Sequence, residues 1–202
     1  MSGFETPYPA YDVLDKWDSP SWNEQTREAV RQRLDEVPSR QFLNERQWAL
    51  LEAITARLIP QPDRERPVPI VPWIDRRLQE DRRPGYRYAD MPPMRQAWTQ
   101  ALDAVAAECM DRFGTPFEQL SSGDQDSYLS DLQHGNVEAR FWGDMPVQCF
   151  FSELLLKDVI EVYYSHPAAW SEIGFGGPAS PRGYARLGFD QRDPWEAEAA
   201  HV

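Results

Sequence analysis

Apolar side chains recur at three- and four-residue steps between residues 147 and 163: Val147, Phe150, Phe151, Leu154, Leu155, Val159, Val162 and Tyr163. That spacing lines one broad face of an α-helix, so the stretch predicts a helix of about five turns that begins near Pro146 and sits in the middle of a core. Ser165, His166 and Pro167 end it. Beyond them Trp170, Ile173 and Phe175 stand among Gly174, Gly176, Gly177, Pro178 and Pro181. This is too apolar for a free linker and too rich in Gly and Pro for a helix or central strand, which predicts a long aromatic loop packed on this chain or on a partner.

The same periodicity organises the earlier chain. Asn44 with Gln47 forms a capping signature, and Trp48, Leu51, Ala53, Ile54, Leu58 and Ile59 keep helical spacing up to Pro60. Residues 71–80 read as a helix with Pro72 in its first turn and Trp73, Ile74 and Leu78 on one side. From Pro93, Trp98, Leu102, Val105, Ala106, Cys109 and Phe113 mark a helix of about twenty residues stopped by Gly114. Ser121 to Asp124 opens a shorter one through Tyr128, Leu129 and Leu132, ending at Gly135-Asn136. Ser21 and Glu24 suggest a capping box for a helix over 22–37. Residues 137–145 read as a loop carrying Phe141 and Trp142, and 184–189 as the one candidate for a short strand.

The sum is an all-α protein, an irregular bundle of about six helices. Residues 1–21, with Phe4, Tyr8, Tyr11 and Trp17 between prolines, form an extended arm whose aromatics dock or stay disordered. Residues 22–164 form the helical domain, and 165–202 a C-terminal wrapping segment packed on that domain or on a partner.

Charge narrows the partners. With 33 acidic and 21 basic residues the formal net charge is -12, which disfavours nucleic acid and anionic membrane and suits a basic partner. No run approaches the length of a membrane span, and the N-terminal residues lack the basic and apolar regions of a secretory signal, so the expected location is the cytoplasm. Cys109 and Cys149 lie in helical patterns and read as buried free thiols.

Catalytic motifs are scarce. There is no HExxH, no phosphate-binding glycine loop and no GxSxG elbow. Of three histidines, His201 lies in the C-terminal tail, His134 precedes a helix stop where the last carbonyls stabilise an imidazole, and His166 joins the apolar helix to the aromatic segment. His166 with Glu161 or Glu153 is the one candidate for general acid–base chemistry, although the five-residue step from Glu161 does not place the pair on one helix face. Trp and Tyr surfaces around His166 also leave a sugar-binding reading open. What stands out is interface chemistry: Tyr163, Tyr164, His166, Trp170, Ile173, Phe175, Arg182, Tyr184 and Arg186 combine the residue types enriched in binding hot spots with a Gly/Pro backbone able to wrap a partner.

The run Phe150-Phe151-Ser152-Glu153-Leu154-Leu155, then Tyr163-Tyr164-Ser165-His166-Pro167, Trp170, Ile173-Gly174-Phe175-Gly176-Gly177-Pro178 and Gly183-Tyr184 resembles the C-terminal part of the gluconate 2-dehydrogenase subunit 3 family. Leu50-Leu51-Glu52-Ala53-Ile54, Leu58-Ile59-Pro60 and Trp73-Ile74-Asp75 resemble its N-terminal half. The resemblance implies a non-catalytic accessory subunit that binds, stabilises or helps mature a large FAD-dependent sugar or polyol dehydrogenase of the glucose-methanol-choline type. It places the FAD in that partner and none in this chain, and implies a cytochrome c subunit as electron acceptor. Many family members carry an N-terminal twin-arginine signal. Here residues 1–21 stand in its place, so the implied complex is cytoplasmic or is exported through a partner's signal.

Overall fold

The computed structural model describes residues 6–62, 64–82, 88–178 and 193–200. All regular structure among them is helical, with no strand or sheet, so the all-α reading holds. The candidate strand at 184–189 lies outside the described residues. The chain divides into two compact units, the described residues within Met1–Val37 and Tyr163–Val202, and those within Pro38–Val162.

In the unit within Pro38–Val162, the helices start and stop where their end residues dictate. Helix α2 (Glu45–Leu58) carries the complete capping box, with Asn44 Oδ1 accepting the Gln47 N–H and Gln47 Oε1 accepting the Asn44 N–H. Helix α3 (Ile70–Gln79) begins with Pro72 in its first turn, and α4 (Met94–Phe113) ends at Gly114 in the left-handed region. Helix α5 (Ser122–His134) is capped by Ser121 and closed by Gly135, with His134 Nδ1 at 2.7 Å from the Ser130 carbonyl in its last turn. The stretch 137–145 is more ordered than a loop: Ala139–Trp142 makes one helical turn, α6, which drops Trp142 into the core.

Two buried carboxylates join these helices. Asp75 on α3 accepts the backbone N–H groups of Gln41, Phe42 and Leu43, at 2.7 to 3.1 Å for the nearest contacts, and so fixes the approach to α2. Glu108 on α4 accepts from Tyr128 Oη at 2.9 Å, Trp142 Nε1 at 2.8 Å and the Glu138 N–H at 2.9 Å, tying α5 and α6 to α4. Each carboxylate accepts from three donors, so neither is buried unpaired.

The long apolar helix forms, but not as uniform α-helix. It runs as α7 (Val147–Cys149), a π-helical stretch Phe150–Leu156 and α8 (Lys157–Tyr164). Of the eight residues in the predicted stripe all but Leu154 are buried. The wider π turn rotates Leu154 partly off a face that a strict α period would have kept it on. Phe150 packs edge-on against Trp98, centroids 5.6 Å apart.

The second unit contains helix α1 (Glu24–Asp35) and a short helix α9 (Pro167–Ile173). Helix α1 starts two residues later than expected. Asn23 is the cap, its Oδ1 accepting the Thr26 N–H, because Ser21 is buried with its Oγ accepting from Lys16 Nζ. Val13, Trp22, Val30 and Trp170 form the centre of this unit, with Tyr11, Leu14, Trp17 and Leu34 around them. Tyr11 and Trp17 of the N-terminal arm therefore pack against this core, arranged by a 3₁₀ turn at Val13–Lys16 that Asp12 caps, and Phe4 lies outside the described residues.

Candidate functional site

The segment that begins at Tyr163 is built from its caps. Pro167 occupies the first turn of α9, where a missing N–H costs nothing, and His166 Nδ1 accepts the Ala168 N–H. Gly174 closes the helix at φ +67°, and the Phe175 N–H reaches back to the Trp170 carbonyl at 2.9 Å. Trp170 and Ile173 are thus helical, where the Gly/Pro content predicted loop. The signal was present in His166-Pro167 and Gly174, a cap, a first-turn proline and a left-handed stop.

The sequence-predicted site residues separate into two groups on this scaffold. Tyr163, His166 and Trp170 are 4%, 9% and 7% exposed and act as supports. Tyr163 Oη donates to Glu172 Oε2 at 2.6 Å, and Trp170 Nε1 donates to the Tyr164 carbonyl at 2.6 Å. Tyr164, Ile173 and Phe175 are 44%, 41% and 40% exposed, large apolar surfaces on a segment whose neighbours are fixed. Tyr164 stands edge-on to Tyr163 with centroids 5.1 Å apart, and Phe175 edge-on to Trp170 at 5.8 Å. Arg182, Tyr184 and Arg186 lie outside the described residues.

Several supporting residues escaped the sequence reading. Glu172 also accepts, through its carbonyl, from Thr6 Oγ1 at 2.6 Å. Ser171 Oγ accepts the Val13 N–H and donates to Asp12. The Ala200 N–H donates to the Pro7 carbonyl at 2.8 Å. These contacts join parts of the chain more than 150 positions apart, for which local pattern holds no signal. The glycines are required by geometry. A Cβ on Gly174 would lie 2.7 Å from the Tyr8 ring, and one on Gly177 (φ +68°) 3.0 Å from the Trp170 ring.

Glu161 accepts from Arg77 Nη1 at 3.1 Å, and the same guanidinium pairs with Asp158. Burial pushes the Asp158 carboxyl up to about 6, outweighing the opposing pull of Arg77, with Glu161 adding to the rise. Burial pushes the Cys109 thiol up to about 12, which makes it inert as a nucleophile. Among the described residues no group of three or more His, Cys, Asp or Glu side chains could hold a metal ion, and no helix is long and apolar enough to cross a membrane. His201 lies outside the described residues.

No curated protein sequence and no solved structure matches the chain. The family model for gluconate 2-dehydrogenase subunit 3 matches residues 45–177, a span that runs from the first residue of α2 through α9 to Gly177 against the Trp170 ring. Covering well over half of the sequence and the whole described segment from Tyr163 to Phe175, that match shows that the chain belongs to the gluconate 2-dehydrogenase subunit 3 family, a family of dehydrogenase-complex subunits.

Proposed function

We propose that this chain is a non-catalytic small subunit that binds and stabilises, or helps mature, a large FAD-dependent sugar or polyol dehydrogenase of the glucose-methanol-choline type. The observation that carries the reading is the trio Tyr164, Ile173 and Phe175, each at least 40% exposed within the family-matched region and mounted on buried, hydrogen-bonded neighbours. Pre-organised apolar side chains lose little conformational freedom on docking, which is what an anchor needs. The dehydrogenase contributes the FAD and the chemistry, a cytochrome c subunit takes the electrons, and the complex works in the cytoplasm or is exported with a partner's signal. In this reading Arg182, Tyr184 and Arg186 extend the contact.

The competing reading makes His166 a general base. Its Nδ1 already accepts the Ala168 N–H and the residue is 9% exposed, so it has a structural task that explains its presence. Co-expression separates the two. The wild-type chain should raise the soluble, FAD-loaded yield of the dehydrogenase severalfold, and the chain with Tyr164, Ile173 and Phe175 all changed to Ser should not. Sugar-oxidising turnover by the isolated chain that is lost in His166→Gln would overturn the proposal.

A further inference from the structure

Helix α9 is seven residues long, about two turns, and a helix that short is marginal in water by itself. Its C-terminal end carries two of the three exposed anchors, since Ile173 is the last helical residue and Phe175 follows Gly174. The last carbonyls of a helix have no intrahelical partner, and an unsupported end frays at almost no cost in free energy. The Phe175 N–H bond to the Trp170 carbonyl closes this end from within. From outside, the N-terminal arm holds it.

The arm reaches the residues on either side of Ile173. Thr6 Oγ1 donates to the Glu172 carbonyl, in the last turn of α9, at 2.6 Å. The Val13 N–H donates to Ser171 Oγ at 3.0 Å. The Tyr8 ring packs on Gly174 so closely that its nearest atoms lie 2.7 Å from where a Cβ would stand. Ser171, Glu172 and Gly174 are thus gripped, while Ile173 and Phe175 beside them are 41% and 40% exposed. The arm is itself held in shape: Thr6 Oγ1 accepts the Tyr8 N–H at 3.0 Å, the Tyr8 carbonyl accepts the Tyr11 N–H at 3.1 Å, and the Pro7 carbonyl accepts the Ala200 N–H at 2.8 Å. The gripping residues of the arm lie outside the family-matched span 45–177, and the gripped ones lie inside it.

Side chains that are already fixed lose little freedom on docking, so a buttress at this end raises affinity without touching the partner. We infer that residues 6–13 are a positioning element of the docking surface, with Thr6 and Tyr8 holding the end of α9 so that Ile173 and Phe175 meet the partner in one fixed arrangement. The inference rests on the reading that Tyr164, Ile173 and Phe175 anchor the chain as a subunit. In the full chain alone, amide hydrogen exchange followed by NMR should run at least about tenfold faster at Gly174 and Phe175 in Thr6→Val/Tyr8→Ala than in the wild type, with the amides of α1 in the same unit changed less than about twofold. Thr6→Val alone, which leaves the ring in place, should give the same pattern at about threefold. In the complex with the flavoprotein dehydrogenase that co-purifies with the tagged chain from its native host, the double variant should dissociate at least about tenfold faster. Thr6→Ser/Tyr8→Phe keeps the hydroxyl and the ring and should rescue both measurements.

Unchanged exchange at Gly174 and Phe175 would overturn the inference, as would equal acceleration of the α1 amides, which is the mark of an arm that only stabilises its unit. Faster exchange with an unchanged dissociation rate would overturn it too, and would leave the subunit reading standing. The subunit reading fails separately, if the wild-type chain recovers no dehydrogenase; the exchange measurement on the chain alone then still decides whether the arm holds the end of α9.

Discussion

Glu108 and Asp75 show how single residues hold this fold. Each is a carboxylate at 1% exposure or less that accepts three hydrogen bonds. Glu108→Ala would strand Tyr128 Oη, Trp142 Nε1 and the Glu138 N–H at once, and chemical denaturation should show a loss of about 3–5 kcal/mol. Neither role was legible in the sequence, because a Glu inside a helical pattern reads as a solvated face until its tertiary partners are known. Asp158 makes a prediction with a sign. Its carboxyl holds a proton more tightly in the folded chain, titrating at about 6 against an ordinary value near 4. The resulting stabilisation is fully present below about pH 4 and is lost as pH rises through about 6, on the order of 3 kcal/mol in all. Asp158→Asn should flatten the urea midpoint between those limits while Arg77 keeps Glu161 as a partner, and an unchanged slope would show that another group is responsible.

At the level of elements, the stops and starts were the most legible part. Asn44 with Gln47, Gly114, Ser121 and Gly135 act where their chemistry places them, since capping is a local interaction. The π-helical stretch Phe150–Leu156 was not legible, because apolar steps of three and four are compatible with either helix when the core sets the turn. Helix α9 was hidden by the surrounding glycines and prolines, although His166, Pro167 and Gly174 encode its ends. His166→Ala should therefore cost about 1 kcal/mol and His166→Asn, itself a good cap, much less; a base in catalysis would not be rescued in this way. Gly174→Ala should be costlier than either, because its left-handed φ disfavours a side chain and the new Cβ meets the Tyr8 ring at 2.7 Å. Limited proteolysis near residue 8 would detect the displaced arm.

For the whole molecule, the family match names the kind of complex, that of a dehydrogenase, with which its family is associated. The candidate site was legible as a segment but not as a surface. Sequence placed Tyr163 to Phe175 together, whereas only burial separates Tyr163, His166 and Trp170, which support, from Tyr164, Ile173 and Phe175, which face outward. An apolar anchor of three side chains predicts that truncating them weakens partner binding by at least about tenfold, with the chain still folded. The most direct measurement is affinity purification of the tagged chain from its native host, with mass spectrometry of the co-purifying polypeptides and a flavin absorption spectrum. The account predicts one large flavoprotein dehydrogenase with the wild-type chain and its loss with the Tyr164, Ile173 and Phe175 triple Ser variant. Flavin bound by the chain alone, or equal recovery of the same dehydrogenase with both forms, would contradict it.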